Sequence, residues 1–185
     1  MGGRPKALIE LGGRRIIDRV TDVLRAVTDD LLLVTNTPAP YASLDLPMVP
    51  DVFPDHGSLG GIYSGLLAAS GDAAFTVACD MPFLMPEVAR LVVERAELAD
   101  VVLPTAGGRL ETLHACYAKT CLGPMEARLR QGRLKITGFF EEVRVLVVGE
   151  AEVARFRDPD VVFMNVNTPE ELARAGDVLA ALERA

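Results

Sequence analysis

The chain has 185 residues, half of them hydrophobic, which is enough to form one α/β domain with a sizeable core. Nineteen Lys and Arg residues against 26 Asp and Glu residues give a net charge of −7, and aromatic residues make up only 5%. A negative chain with few aromatic rings is poorly suited to bind nucleic acid, although a few local donors remain compatible with an anionic small molecule.

The three cysteines, Cys79, Cys116 and Cys121, form no CxxC pair, which argues against a disulfide framework or a zinc site. No apolar run approaches the length of a membrane span, and the opening MGGRPK lacks the hydrophobic segment of a signal peptide. We therefore expect a cytoplasmic protein with no membrane segment.

Hydrophobic periodicity predicts helices and strands in alternation along the chain. In the first half these are an amphipathic helix over about 14–27, a buried strand over 31–35, a short strand within 49–53 and a helix near 62–69. The continuous apolar run AAFTVAC, at 73–79, is typical of a central parallel strand that is covered on both faces.

The second half continues the alternation. Helices are predicted over 88–92 and 122–130, and strands within ADVVLPT (99–105), LHACYA (113–118), VRVLVV (143–148) and VVFM (161–164). The last helix begins with a capping box, in which Thr168 is the N-cap, Pro169 is the first residue and Glu171 follows three residues after the cap. The alternation predicts an α/β fold, a three-layer, doubly wound, mainly parallel sheet in one domain over 1–185.

Ligands of such sheets bind at the carboxyl ends of the strands. Four polar residues come at or just after predicted strand ends, namely Asn36, Asp51, Asp80 and Thr105. Asp80 directly follows the central strand, where a carboxylate can bind Mg²⁺, since this cation often takes one or two carboxylates plus phosphate oxygens. An aspartate that forms a turn or an N-cap fits the same position equally well.

Other candidates are weaker when taken singly. Lys6, in GGRPK, follows glycines that let backbone N–H groups approach a phosphate, but a solvated lysine has the same pattern. The loop PDHGSLGGI, at 54–62, is either an anion site at a helix N-terminus or a tight turn. Asn165 and Asn167 precede the capped helix, and the cap itself does not require both. His114 has no partnered nucleophile and is interpreted as structural or solvated.

Six motifs occur in a fixed order, namely MGGRPKALIELGG, LVTN, VPD, GSLGGI, CDMPFL and FMNVNTPEEL. Together they resemble the molybdenum cofactor guanylyltransferases and their relatives in the nucleotidyltransferase superfamily, from Met1 to about Leu172. The resemblance implies the Rossmann-like nucleotidyltransferase fold.

The resemblance also implies roles for individual residues. Lys6 would contact the nucleotide phosphates and Asp80 would bind Mg²⁺, and these two are the expected catalytic residues. The other expected nucleotide-binding residues are Gly2, Gly3, Asn36 and Asp51. Asn165 and Asn167 would bind the second, pterin-bearing substrate, and the segment ETLHACY at 111–117 would line the same side.

The implied reaction transfers GMP from GTP to the molybdopterin cofactor and releases diphosphate, with Mg²⁺ as cofactor. The absence of a Ser/His or Cys/His arrangement agrees with direct transfer. Two alternatives remain open. The first is a related transferase that uses CTP or a sugar or polyol phosphate. The second is a catalytically silent subunit that binds the cofactor. A molybdoenzyme or cofactor-synthesis protein is a further expected partner.

One departure from the family pattern concerns its opening signature, LAGGxSxRMGxxK, which follows a first strand. This sequence starts at the MG of that signature. We therefore expect Met1 to be an internal methionine, preceded by a short apolar strand and a glycine-rich loop. Without that strand, its two neighbours in the sheet would each have an unpaired edge.

Overall fold

A computed structural model describes residues 6–184, and Gly2 and Gly3 lie outside this range. The α-helices are α1 (Ile16–Arg25), α2 (Gly57–Ala68), α3 (Pro86–Val93), α4 (Leu122–Arg130), α5 (Glu150–Val153), α6 (Pro159–Val162) and α7 (Pro169–Leu182). The strands are β1 (Glu10–Leu11), β2 (Arg14–Arg15), β3 (Leu33–Val34), β4 (Met48–Val49), β5 (Ala73–Val77), β6 (Val101–Ala106), β7 (Arg109–Leu110), β8 (His114–Ala118) and β9 (Val145–Val148). None of these helices is long and apolar enough to cross a bilayer.

The main sheet has the order β5-β8-β6-β7, and β9 pairs with the other edge of β6. Strand β8 is antiparallel to both β5 and β6, and β9 is parallel to β6, so β5, β6 and β9 all run in one direction. Strands β3 and β4 form a separate parallel pair. The expected mainly parallel α/β fold is confirmed, with β8 as a reversed strand inside it.

Side-chain alternation along the strands separates two helical layers. Val101 and Leu103 of β6 pack with α2 and α4, whereas Val102, between them, packs against α3 and β9. Tyr117 and Cys116 of β8 divide in the same way between the two faces. Helices therefore cover both faces of the sheet, which gives the expected three layers.

An apolar cavity of about 840 Å³ lies between the β3–β4 pair and the main sheet. Residues of β3, β5, α1 and α2 line it, and no strand of the described chain pairs with the edges of β3 and β5 that face it. All five residues of β5 are only half-buried, whereas five of the six residues of β6 are buried. The open edge therefore accounts for the incomplete burial of β5.

Two strand predictions differ from the structure. The segment VVFM, at 161–164, is not a strand, because Asp158 caps the short helix α6 by accepting a hydrogen bond from the N–H of Asp160, and Pro159 starts that helix. The strand expected within 49–53 ends at Val49, so Asp51 lies in the loop that follows it. The capping box of α7 is confirmed.

Candidate active site

The CDMPFL segment turns sharply away from the end of β5. Met81, Phe83 and Leu84 are all buried and fix this turn in the core. The carbonyl oxygen of Asp80 accepts a 3.0 Å hydrogen bond from the N–H of Val166. This bond brings the segment before α7 alongside the carboxyl end of β5, so chain regions more than 80 residues apart meet at one edge of the sheet.

The carboxylate of Asp80 is half-buried and makes no side-chain hydrogen bond or ion pair within residues 6–184. Burial raises the pKa of Asp80, and the positive charge of Lys6 acts in the opposite direction. No group of three or more His, Cys, Asp or Glu side chains in the described chain could hold a metal ion. A carboxylate without a partner side chain in the described chain suits Mg²⁺, which commonly takes its other ligands from water and phosphate.

Lys6 is exposed at the start of a short 3₁₀ helix, Lys6–Leu8. Its Nζ donates a 2.9 Å hydrogen bond to Oδ1 of Asn167. The structure thus brings together two residues that the sequence analysis assigned to different substrates.

The two asparagines before α7 take no part in its cap through their side chains. Thr168 Oγ1 accepts from the N–H of Glu171, and Glu171 Oε2 accepts from the N–H groups of Asn167 and Thr168. The side chain of Asn165 only donates a 3.3 Å bond to the carbonyl of Phe163, and that of Asn167 contacts Lys6. Capping therefore explains the backbone at this position but not the asparagine side chains.

Asn36 and Asp51 form a hydrogen-bonded pair just after the ends of β3 and β4. Oδ1 of Asn36 accepts a 2.8 Å bond from the N–H of Asp51, and Oδ1 of Asp51 accepts from Ser64 Oγ and from the N–H of Phe53. A Cβ on Gly60 would lie 2.9 Å from the carbonyl oxygen of Phe53, which shows close packing of α2 on this loop. Within the described chain no hydrogen bond joins this pair to Asp80 or Lys6.

A second cavity, of about 400 Å³, opens beside the asparagines. Asn165 and Asn167 border both this cavity and the large apolar one, which also reaches Asp80. Charged side chains from three separate parts of the chain line the second cavity, namely Arg109, Glu111, Asp160, Glu171 and Arg174. Sequence reasoning missed both arginines and Asp160, because no local pattern indicates that these elements converge.

Comparison with known proteins gives a consistent result. The MobA-like NTP transferase domain matches residues 1–145. A molybdenum cofactor guanylyltransferase of Desulfosudis oleivorans is 40% identical over 97% of this chain and 90% of its own length. The crystal structure of molybdopterin-guanine dinucleotide biosynthesis protein A from Archaeoglobus fulgidus superposes with a TM-score of 0.83, at 25% identity, over 97% of this chain and 92% of that one. A cytidylyltransferase of Thermus thermophilus, 2-C-methyl-D-erythritol 4-phosphate cytidylyltransferase, is 16% identical with a TM-score of 0.70 over 95% of this chain and 94% of that one, and it shows the fold alone. The chain therefore belongs to the family of MobA-like NTP transferase domains.

Proposed function

We propose that this protein transfers GMP from GTP to the molybdopterin cofactor and releases diphosphate. The observation that carries the proposal is the junction of two cavities at Asn165 and Asn167, with Lys6 bound to one of these asparagines. A transferase must bind two substrates side by side. Here the ammonium group of Lys6, which can bind phosphate, lies at the boundary between the two cavities. The name of the 40% identical relative specifies guanylyl transfer to this cofactor.

In the proposed reaction a terminal phosphate oxygen of the pterin substrate attacks the α-phosphorus of GTP. Two anions must approach each other, so the main contribution of the chain is orientation and positive charge. Lys6 would bind the nucleotide phosphates, and its bond to Asn167 orients the ammonium group before substrate arrives. Asp80 would hold Mg²⁺, which supplies positive charge to the phosphates when bound.

No side chain of the described part is arranged to act as a covalent nucleophile. His114 is wholly buried in the core, so its ring cannot reach a substrate in either cavity. Direct transfer between two bound substrates is the chemistry that suits these residues.

The test supplies the full chain with molybdopterin and either GTP or CTP, with and without Mg²⁺, and measures diphosphate release. We expect release with GTP and Mg²⁺ only. Release with CTP, or with a sugar or polyol phosphate in place of molybdopterin, would select the related transferase instead. Tight binding of molybdopterin without any release of diphosphate would identify a silent binding subunit.

A further inference from the structure

Glu111 has a fixed backbone and an uncommitted side chain. Its N–H donates a 2.9 Å hydrogen bond to the carbonyl of Pro104, and its own carbonyl accepts from the N–H of His114 at 3.0 Å. The carboxylate borders the second cavity, is half-buried, and makes no hydrogen bond or ion pair within residues 6–184. Burial raises the pKa of Glu111, while the neighbouring Arg109 acts against this rise. The backbone of Glu111 is therefore fixed, while its carboxylate has no hydrogen-bond donor within residues 6–184.

The rest of the cavity wall is charged and equally uncommitted. Arg109 is presented by the β6–β7 hairpin, whose two-residue turn uses Gly107 and Gly108 at positive φ. Arg174 projects from α7, and neither arginine makes an ion pair or a side-chain hydrogen bond in the described chain. By contrast, five other arginines are paired with carboxylates, namely Arg14, Arg15, Arg95, Arg130 and Arg144. The wall of the second cavity therefore presents both cationic and anionic side chains that have no partner in the described chain.

We propose, on the basis of the function proposed above, that Glu111 selects the acceptor by binding the donor edge of its pterin ring. A 2-amino-4-oxopteridine has a ring N–H and an exocyclic amino group side by side, and an ionised carboxylate accepts from both in a bidentate pair. The guanidinium groups of Arg109 and Arg174 would then bind anionic groups of the same molecule. The phosphate end would then point toward Asn167 and Lys6, where the two cavities join.

The proposal predicts discrimination between two nearly identical rings. A lumazine has a carbonyl where a pterin has its 2-amino group, so it would turn an oxygen lone pair toward the carboxylate of Glu111. Leaving buried polar groups unpaired or opposed costs binding free energy. The Glu111→Gln side chain keeps the shape but can rotate its amide to donate to that carbonyl, so the preference should shrink or reverse.

The experiment titrates the full chain with 6-hydroxymethylpterin phosphate and with 6-hydroxymethyllumazine phosphate, following ligand fluorescence. The wild-type protein should bind the pterin about tenfold more tightly or better, and Glu111→Gln should reduce this ratio to about twofold or less. Glu97→Gln, which alters an exposed glutamate outside both cavities, should keep the wild-type ratio. The KM for GTP should stay within about twofold of wild type in both variants.

The outcomes separate this inference from the proposed function. An unchanged pterin preference in Glu111→Gln, or equal binding of the two rings by wild type, overturns the role of Glu111 and leaves guanylyl transfer intact. Wild-type protein that binds neither phosphate and releases no diphosphate from GTP and molybdopterin overturns both. Matching melting temperatures of the two variants and wild type would exclude unfolding as the cause of any loss.

Discussion

The ammonium group of Lys6 is hydrogen-bonded to the side-chain oxygen of Asn167, so residues 161 positions apart in the chain form one contact at the boundary of the two cavities. Lys6 belongs to the predicted nucleotide side and Asn167 to the predicted acceptor side. A substitution of either residue should therefore alter the binding of both substrates, to different extents.

The two asparagines should differ in effect. Asn165→Ala should raise the KM for molybdopterin by several-fold and leave that for GTP unchanged. Asn167→Ala should raise both, because it also releases Lys6 from its 2.9 Å hydrogen bond. Steady-state kinetics with each substrate varied in turn measure the difference. Identical kinetic effects of the two variants would argue against the coupling.

Thr168→Ala is the matched control for these variants. It removes the N-cap of α7 and should cost about 1 kcal/mol of unfolding free energy while leaving both KM values nearly unchanged. If the asparagine variants behave like Thr168→Ala, with a lower melting temperature and normal kinetics, then both asparagines serve the helix and not the substrates.

Lys6→Ala should weaken nucleotide binding more than cofactor binding. Its ammonium would face the triphosphate, which carries more charge than the single phosphate of the acceptor, and loss of a charge-assisted contact costs about 1.5–3 kcal/mol. Calorimetric titration of the variant with each substrate measures the two losses separately. Equal losses for GTP and molybdopterin would contradict the assignment. Lys119→Ala, at a lysine whose N–H bonds to the carbonyl of Asp72 just before β5, serves as a charge-matched control.

Asp80→Asn should reduce the rate of diphosphate release by about 100-fold or more without unfolding the protein. The amide keeps the shape of the side chain but loses the charge that would hold Mg²⁺. Because burial already raises the pKa of Asp80, removing that charge should leave the melting temperature at pH 7 unchanged or slightly higher. Wild-type turnover by the variant at saturating Mg²⁺ would remove Asp80 from the metal site.

The position of Asp80 could be predicted from the sequence because the apolar run of β5 fixes where the strand stops. The apolar runs within 99–105 and 113–118 likewise predicted the strands β6 and β8. The arginines of the second cavity could not be predicted, since Arg109 and Arg174 meet Glu111 only after a hairpin and a distant helix pack together. The strand prediction for VVFM was wrong because a short apolar run fits a strand and a helical turn equally well. Asp158 caps the helical turn and so favours the helix.

His114 predicts a pH dependence of stability. Its ring packs edge-to-face between Phe75 and Phe163, with centroids 5.0 and 5.1 Å away, and neither ring nitrogen has a hydrogen-bond partner in the described chain. Burial lowers the pKa of His114 to about 3, against an ordinary value of 6.5. His114 therefore binds a proton near pH 6.5 in the unfolded chain, but only near pH 3 in the folded protein. The contribution of His114 to stability is complete above pH 6.5 and is lost as the pH falls.

The variant His114→Phe should retain the aromatic packing and remove this titration. Between pH 6.5 and 4 the wild-type protein should lose up to about 1.4 kcal/mol per pH unit relative to the variant, and at pH 7 the variant should be at least as stable. Urea unfolding of both proteins at several pH values gives the difference. Parallel pH profiles would show that the ring takes up its proton at the same pH in the folded and unfolded states, so that burial does not lower its pKa.

The cavity between β3 and β5 should accept one additional strand. Its lining is mostly apolar, and no strand within residues 6–184 pairs with the edges of β3 and β5 that face it. Lys6 is tied to Asn167, which borders this cavity beside Asp80, so the start of the described chain lies where a strand parallel to β5 would finish. Joining five β-branched apolar residues and a glycine-rich loop ahead of Met1 should raise the melting temperature by about 5 °C or more, and should tighten GTP binding.

The matched control for this extension has the same length and loop but carries Pro and Asp at alternate strand positions. It cannot complete the hydrogen-bond ladders or bury apolar side chains, so it should melt like the unextended chain. Amide hydrogen exchange supplies the local readout, because N–H groups of β3 and β5 on the cavity side should gain protection only with the apolar extension. Equal melting temperatures for the two extensions, or unchanged exchange at these strands, would show that the cavity does not bind a strand.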